Sequence, residues 1–134
     1  MAFVIDASLV LANLLPDESS EIAIAWLTRT LAEPAQAPNL LILEVSNACS
    51  MAVKRKRLSK SEAKDCQQVF SQLRIEFDFT SPSRIDEIVS LSSQFDLTIY
   101  DATYLELAKR FSIPLGTLDK KLSAAAQKLG LGIV

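Results

Sequence analysis

The chain of 134 residues contains no histidine, three glycines, five prolines and two cysteines. Each shortage closes off a class of chemistry. Without histidine there is no Ser-His-Asp or Cys-His nucleophilic site and no imidazole-ligated zinc. Cys49 and Cys66 stand far apart in stretches of helical patterning, so they read as buried, reduced thiols rather than a CxxC redox pair or a thiolate metal site. The glycines, at 116, 130 and 132, build neither a GxGxxG fingerprint nor a GxxxxGK[ST] phosphate loop. Neither sign of charge dominates: 14 basic against 16 acidic residues leave a net −2, so a nucleic-acid partner would need a local basic patch. The apolar start, MAFVIDASLVLANLLP, lacks a basic leader, carries Asp6 in its middle and runs into Asp17 and Glu18. It is therefore expected to belong to the core of a cytoplasmic protein without a membrane span.

What is present is apolar: 49% of the residues are hydrophobic, enough for one domain over 1–134 with some surface left for a partner. Phe3 to Ile5 is a short all-apolar run closed by Asp6, which suits a strand buried on both faces. Ser8 is placed to cap a helix that Pro16 ends. Glu18 to Glu33 is expected as a surface helix with Ile22, Ala23, Trp26, Leu27 and Thr30 inward. Ala35 to Pro38 supplies a very short strand, placed at an edge because Pro38 has no N–H to donate. From Asn39 the run LLILEVSNACSMAV reads as a helix buried nearly all round, with Glu44 its only charge and Asn47 on the same face. Lys54, Arg55, Lys56 and Arg57 follow, with Lys60 close behind. This cluster reads equally as a solubilised helix end or as a phosphate-contacting patch.

Ser59 and Glu62 form an S-x-x-E capping box for a helix to about Leu73, and Arg74 to Phe79 alternates as a strand. Ser81 to Gln94 is an amphipathic helix with Ile85, Ile88, Val89 and Leu91 inward. A second amphipathic helix opens at Asp101, turns at Pro114 and gives way to a short apolar strand ending on Asp119. The last helix spans Asp119 to Leu129 with Gly130 as its stop, and Leu131 to Val134 is a final edge strand. Strands separated by helical crossovers pair in parallel, which predicts an α/β fold: a three-layer α/β/α sandwich around a mostly parallel sheet of four to five strands.

Four carboxylates stand out. Asp6 and Asp119 close strands, and each also suits a helix cap; Asp101 completes a T-x-x-D box with Thr98. Glu44 fits no such role. Acids gathered at one sheet edge repel one another unless a cation is present, and oxygen donors without His or Cys favour Mg²⁺ or Mn²⁺. Such ions bind phosphates, so the cluster suits metal-assisted phosphodiester hydrolysis by water.

FVIDAS at Phe3 to Ser8, PNLLILEVSNA at Pro38 to Ala48, LTIYDATYLELAKR at Leu97 to Arg110 and PLGTLDKKL at Pro114 to Leu122 together resemble the PIN-domain ribonucleases, and within them the VapC-type toxins of toxin-antitoxin pairs. The pieces span nearly the whole chain, in order. The resemblance implies a metal-dependent endoribonuclease in which Asp6, Glu44, Asp101 and Asp119 are the catalytic acids and hold Mg²⁺ or Mn²⁺. Asp6 and Asp101 would ligate directly, Glu44 and Asp119 directly or through water. Ser8 and Thr117 match hydroxyls that support the first and last acids, Asn47 an amide after the helical Glu, and Asn13 a helix-packing polar group. Gly116 departs from the pattern, where a larger apolar residue is expected. The family also implies a homodimer and a small antitoxin partner, with RNA as substrate. Lys54, Arg55, Lys56, Arg57, Lys120 and Lys121 are the candidate RNA contacts, while Trp26, Phe70 and Phe95 read as core or interface. The alternatives are a non-catalytic protein that keeps the fold as a scaffold, and a nuclease acting on DNA.

Overall fold

The computed structural model describes residues 2–15 and 21–132, apart from the side chain of Leu27. In chain order the elements are β1 (Phe3–Ile5), α1 (Ala7–Leu14), α2 (Glu21–Ala32), β2 (Ala35–Pro38), α3 (Leu40–Lys54), α4 (Lys60–Gln72) and β3 (Ile75–Asp78). A 3-10 turn at Pro82–Arg84 leads into α5 (Ile85–Phe95), followed by α6 (Ile99–Phe111), β4 (Leu115–Gly116) and α7 (Lys120–Lys128). All four strands are parallel, in the order β3-β2-β1-β4.

This order places the site. From β1 to β2 to β3 the chain steps in one direction across the sheet, so right-handed crossovers lay α1 to α4 on one face. From β3 it returns past β1 to β4, so that crossover, α5 and α6, falls on the other face. The strand order reverses between β1 and β4, and at such a switch point the loops leaving two neighbouring strands diverge and open a crevice at their carboxyl ends. Asp6 follows β1 and Thr117 follows β4. The three-layer sandwich expected from the sequence is the observed one, with all four strands parallel.

Several expectations are corrected. β2 is an interior strand, hydrogen-bonded to β1 and β3. The N–H groups of Ala35 and Asn39 point at β3, donating to the Arg74 and Asp78 carbonyls. By the period of two, the N–H that Pro38 lacks faces β1, and the β1–β2 register ends at Val4 with Gln36, so the missing donor falls where that ladder stops. Asp6, not Ser8, caps α1, accepting the Leu9 N–H at 3.2 Å. β4 stops at Gly116, so Asp119 lies beyond the strand and caps α7 through the Leu122 N–H at 2.9 Å. Leu131 and Gly132 have no regular structure; Ile133 and Val134 lie outside the described residues, as do Glu18 to Ser20 at the start of the expected surface helix. Ile22, Ile85 and Val89 face outward, although their neighbours Ala23, Trp26, Ile88 and Leu91 are buried.

The largest reversal concerns the two long helices. α3 buries one stripe, Leu41, Val45, Cys49 and Ala52, and leaves Ile42 and Leu43 exposed. α6 is the helix buried all round, from Ala102 to Ala108, because it lies across β1, β2 and β4 with α5 and α7 against its flanks. Its polar residues reach partners: Thr103 donates to the Ile99 carbonyl, and Glu106 accepts from Arg110 at 2.8 Å. Arg110 also grips both oxygens of Asp78, at 3.2 and 2.7 Å, tying α6 to the edge strand β3. Both cysteines are buried free thiols, and Trp26, Phe70 and Phe95 pack in or against the core. Gly130, at φ 71°, takes the left-handed turn that ends α7.

Gly116 accounts for its own departure from the family pattern. A Cβ there would sit 2.9 Å from Leu9 Cδ1 and 3.0 Å from two carbons of the Trp26 ring, which stacks at a tilt on Phe3 with centroids 4.7 Å apart. The indole fills the space that a larger side chain on β4 would take. Gly116→Val is expected to lower stability by about 1–3 kcal/mol through overpacking, and Trp26→Leu in that background to cost less than it does alone. Urea unfolding of the two single variants and the double variant measures both.

Candidate active site

β1 ends one residue before Asp6, and that residue is buried although charged. Both of its carboxylate oxygens accept hydrogen bonds, and Oδ2 accepts only one among the described residues. Oδ1 accepts from the Ser8 hydroxyl at 2.7 Å as well as from the Leu9 N–H, and Oδ2 accepts from the Thr117 hydroxyl. The same hydroxyls accept in turn: Ser8 Oγ from the Leu118 N–H at 2.9 Å, and Thr117 Oγ1 from the Asp119 N–H at 3.0 Å. A polar clasp therefore joins the end of β1 to the segment between β4 and α7, and it carries Asp119 to the Asp6 side of the sheet. Both hydroxyls serve Asp6 directly, and only that of Thr117 touches Asp119, at its backbone N–H.

The other two acids come from helices. Thr98 caps α6 by accepting the Asp101 N–H at 3.1 Å, which fixes Asp101 in the first turn, where the helix dipole favours a carboxylate. Glu44 lies one turn into α3 and is half-buried rather than enclosed, and its Oε1 accepts from the Tyr104 hydroxyl at 2.5 Å. Asn47, one turn on, is exposed and lines an open groove of about 380 Å³ with Leu40, Leu43, Glu44 and Tyr100. Asn13 stands apart from the acids: its amide donates to the carbonyls of Leu9 and Ala23, at 2.9 and 2.8 Å, locking α1 to α2.

The electrostatics show that the four acids share one region. Burial pushes the Asp6 carboxyl up to about 6, against the lowering effect of the Thr117, Ser8 and Leu9 donors, and the charge of Asp101 pushes it further. Glu44 is raised by burial and by Asp101, with the Tyr104 bond opposing. Asp101 is raised by burial and by Asp119. Asp101 is thus the member within electrostatic reach of the other three. Among the described residues no Lys or Arg pairs with Asp6, Glu44 or Asp101, and no three potential ligands already close on a point that would hold an ion.

The basic candidates divide. Lys120 and Lys121 occupy the first turn of α7 beside Asp119, with Lys121 Nζ 2.8 Å from Asp96. Lys54 to Arg57 lie at the far end of α3, about 15 Å of helix rise from Glu44, and are not brought to the acids. Tyr104 is the residue that sequence reasoning missed. Its signal was present in its place three residues after Asp101, on the same helix face.

Comparisons with known proteins identify the fold and the family. The PIN domain family model matches residues 3–128. Ribonuclease VapC1 of Mycobacterium tuberculosis is 31% identical over 122 residues, covering 91% of this chain and 89% of its own. Ribonuclease VapC3 of Pyrobaculum aerophilum is 28% identical over 127 residues, covering 92% and 93%. Among solved structures, PAE2754 from Pyrobaculum aerophilum superposes with a TM-score of 0.68 at 25% identity, over 93% of this chain and 87% of that one. FitAcB from Neisseria gonorrhoeae shares the fold, with a TM-score of 0.67 at 19% identity over 95% and 94%. With its strand order, its acid-bearing switch point and a family match over almost its full length, the chain belongs to the PIN domain family.

Proposed function

We propose that this chain is a VapC-type endoribonuclease, hydrolysing RNA phosphodiester bonds with Mg²⁺ or Mn²⁺ held by Asp6, Glu44, Asp101 and Asp119, and that it is the toxin of a toxin-antitoxin pair. The observation that carries the proposal is electrostatic. Three carboxylates on separate elements resist ionisation, Asp101 is coupled to the rest, and no cationic side chain among the described residues relieves them. The donor set is all oxygen, which fits a hard divalent ion and no thiol- or imidazole-seeking metal. The relatives named ribonucleases VapC1 and VapC3 support the same reading.

The protein's own groups have separable tasks. Ser8, Thr117 and the Leu9 N–H fix the Asp6 oxygens in one orientation, so this carboxylate is preorganised. Asp101 brings charge to the helix end nearest the other acids, and Asp119 enters from the opposite loop on the backbone that the clasp holds. Asp6, Glu44, Asp101 and Asp119 would hold a divalent cation, which would supply positive charge to phosphate oxygens and acidify water. No side-chain nucleophile is required, so the chain's role is to bind, orient and accept a proton from water. Lys120 and Lys121 are the proposed phosphate contacts beside Asp119. Lys54, Arg55, Lys56 and Arg57 would touch only a longer substrate.

A protein partner and a second copy of the chain have surface available. Leu43, Phe79, Ile99 and Tyr100 are exposed, and with Leu40 they border two open grooves of about 350 and 380 Å³, the second of which contains Glu44. An antitoxin segment or a dimer contact seated there would cover apolar surface and acid together.

Asp6→Asn and Asp101→Asn, each verified as folded, are expected to lose Mn²⁺-dependent RNA cleavage by roughly 100-fold or more. Full activity in a folded double variant ends the proposal. Parallel assays on single-stranded RNA, structured RNA and DNA identify the substrate class. A second outcome concerns pH. The folded pKa of Asp6, about 6, lies above the ordinary 3.8, so its contribution to stability is complete below pH 4 and lost as pH rises through 6. In EDTA the wild type is expected to lose on the order of 3 kcal/mol across that window, Asp6→Asn to lose much less, and added Mn²⁺ to restore stability at pH 8 but not at pH 4. Denaturant midpoints at several pH values measure this.

A further inference from the structure

We infer that Tyr104 is a positioning residue of the acidic site, holding the Glu44 carboxylate by one oxygen so that the other is presented to a bound cation. The inference deepens the proposed function and rests on Glu44 belonging to that site. Its basis is geometric. Tyr104 projects from α6 one turn after Asp101, on the same face, and its ring is fully buried against the core. Its hydroxyl, buried with the ring, donates to Glu44 Oε1 at 2.5 Å.

Glu44 needs such a restraint more than the other acids. Asp6 is held by three donors, Asp101 is a short side chain in the capped first turn of α6, and Asp119 is held by the Leu122 N–H that it caps. A half-exposed glutamate on a helix has three rotatable bonds and every reason to turn into water. Among the described residues the Tyr104 phenol is the one donor that reaches it, and it leaves Oε2 without a partner. The bond also couples two layers, because it ties α3 to the helix that carries Asp101. A phenylalanine would fill the same buried volume, so packing does not account for the hydroxyl. A hydroxyl at this depth requires a partner, and the partner here is a site carboxylate rather than a backbone carbonyl.

The competing explanation is that Glu44 merely satisfies a buried phenol. Calorimetric titration of the full chain with Mn²⁺, in the cold, on wild type, Tyr104→Phe, Glu44→Gln and the double variant separates the two. Tyr104→Phe keeps the ring, and its thermal melt verifies folding. The expected result is about tenfold weaker Mn²⁺ binding in Tyr104→Phe, the scale typical of groups that orient metal ligands. Glu44→Gln should also bind more weakly, and the double variant no more weakly than Glu44→Gln alone. Wild-type affinity in Tyr104→Phe, or losses that simply add, would overturn the inference while leaving Glu44 as a ligand. Wild-type affinity in Glu44→Gln would instead remove Glu44 from the proposed metal site, and the role of Tyr104 with it.

Discussion

The Asp6 carboxylate ends β1 with both oxygens committed, one to Ser8 and the Leu9 N–H and one to Thr117, and much of the molecule's carboxyl edge is held together through it. Ser8 and Thr117 pass the connection on to the backbone of Leu118 and Asp119, so the loop that opens α7 is positioned by a residue more than a hundred positions earlier. β4 contributes only two residues to the sheet, and this clasp supplements its short ladder with β1. The burial that makes the clasp rigid also raises the proton affinity of Asp6. Structure and chemistry are therefore in tension at one side chain: the fold encloses a carboxylate that it can ionise cheaply only in the presence of positive charge.

Topology determines which other groups share that tension. The reversal of strand order beside β1 opens the crevice, and α6 crosses beneath it, bringing Asp101 and Tyr104 to the same edge. α3 leaves β2 beside this crevice and delivers Glu44 in its second turn. Four acids on four elements are thus gathered by topology and by the clasp, and burial first, with mutual repulsion adding to it, raises the proton affinity of Asp6, Glu44 and Asp101. The apolar residues exposed next to Glu44 adjoin the charged crevice, so one partner could cover greasy and acidic surface at once.

Much of this was legible in the sequence for identifiable reasons. β1 was readable because three apolar residues ended on an acid, and the Ser59–Glu62 and Thr98–Asp101 pairs marked their helices by local capping chemistry. Asp6, Asp101 and Asp119 were legible from their places at element ends, and Glu44 as the lone charge in an apolar helix. Burial of whole helices was not, because composition records how greasy a helix is and not how many neighbours surround it. α3 is richly apolar yet one-sided, whereas α6 carries Thr103, Tyr104 and Glu106 and is enclosed because those residues find partners within the fold. Pro38 suggested an edge strand, and the direction of its missing N–H, which only strand register fixes, removed the objection. Gly116 looked like a departure until Trp26, ninety positions away, was found in the space.

The central claim is that the Asp6 and Asp101 carboxylates enclose a binding site for a divalent cation. Anomalous diffraction from crystals grown with Mn²⁺ tests it without depending on substrate or turnover. The expected result is a Mn²⁺ peak in contact with oxygens of Asp6 and Asp101, with Glu44 still bonded to Tyr104. Occupied Mn²⁺ sites elsewhere on the molecule, with Asp6 and Asp101 unliganded at neutral pH, would contradict it.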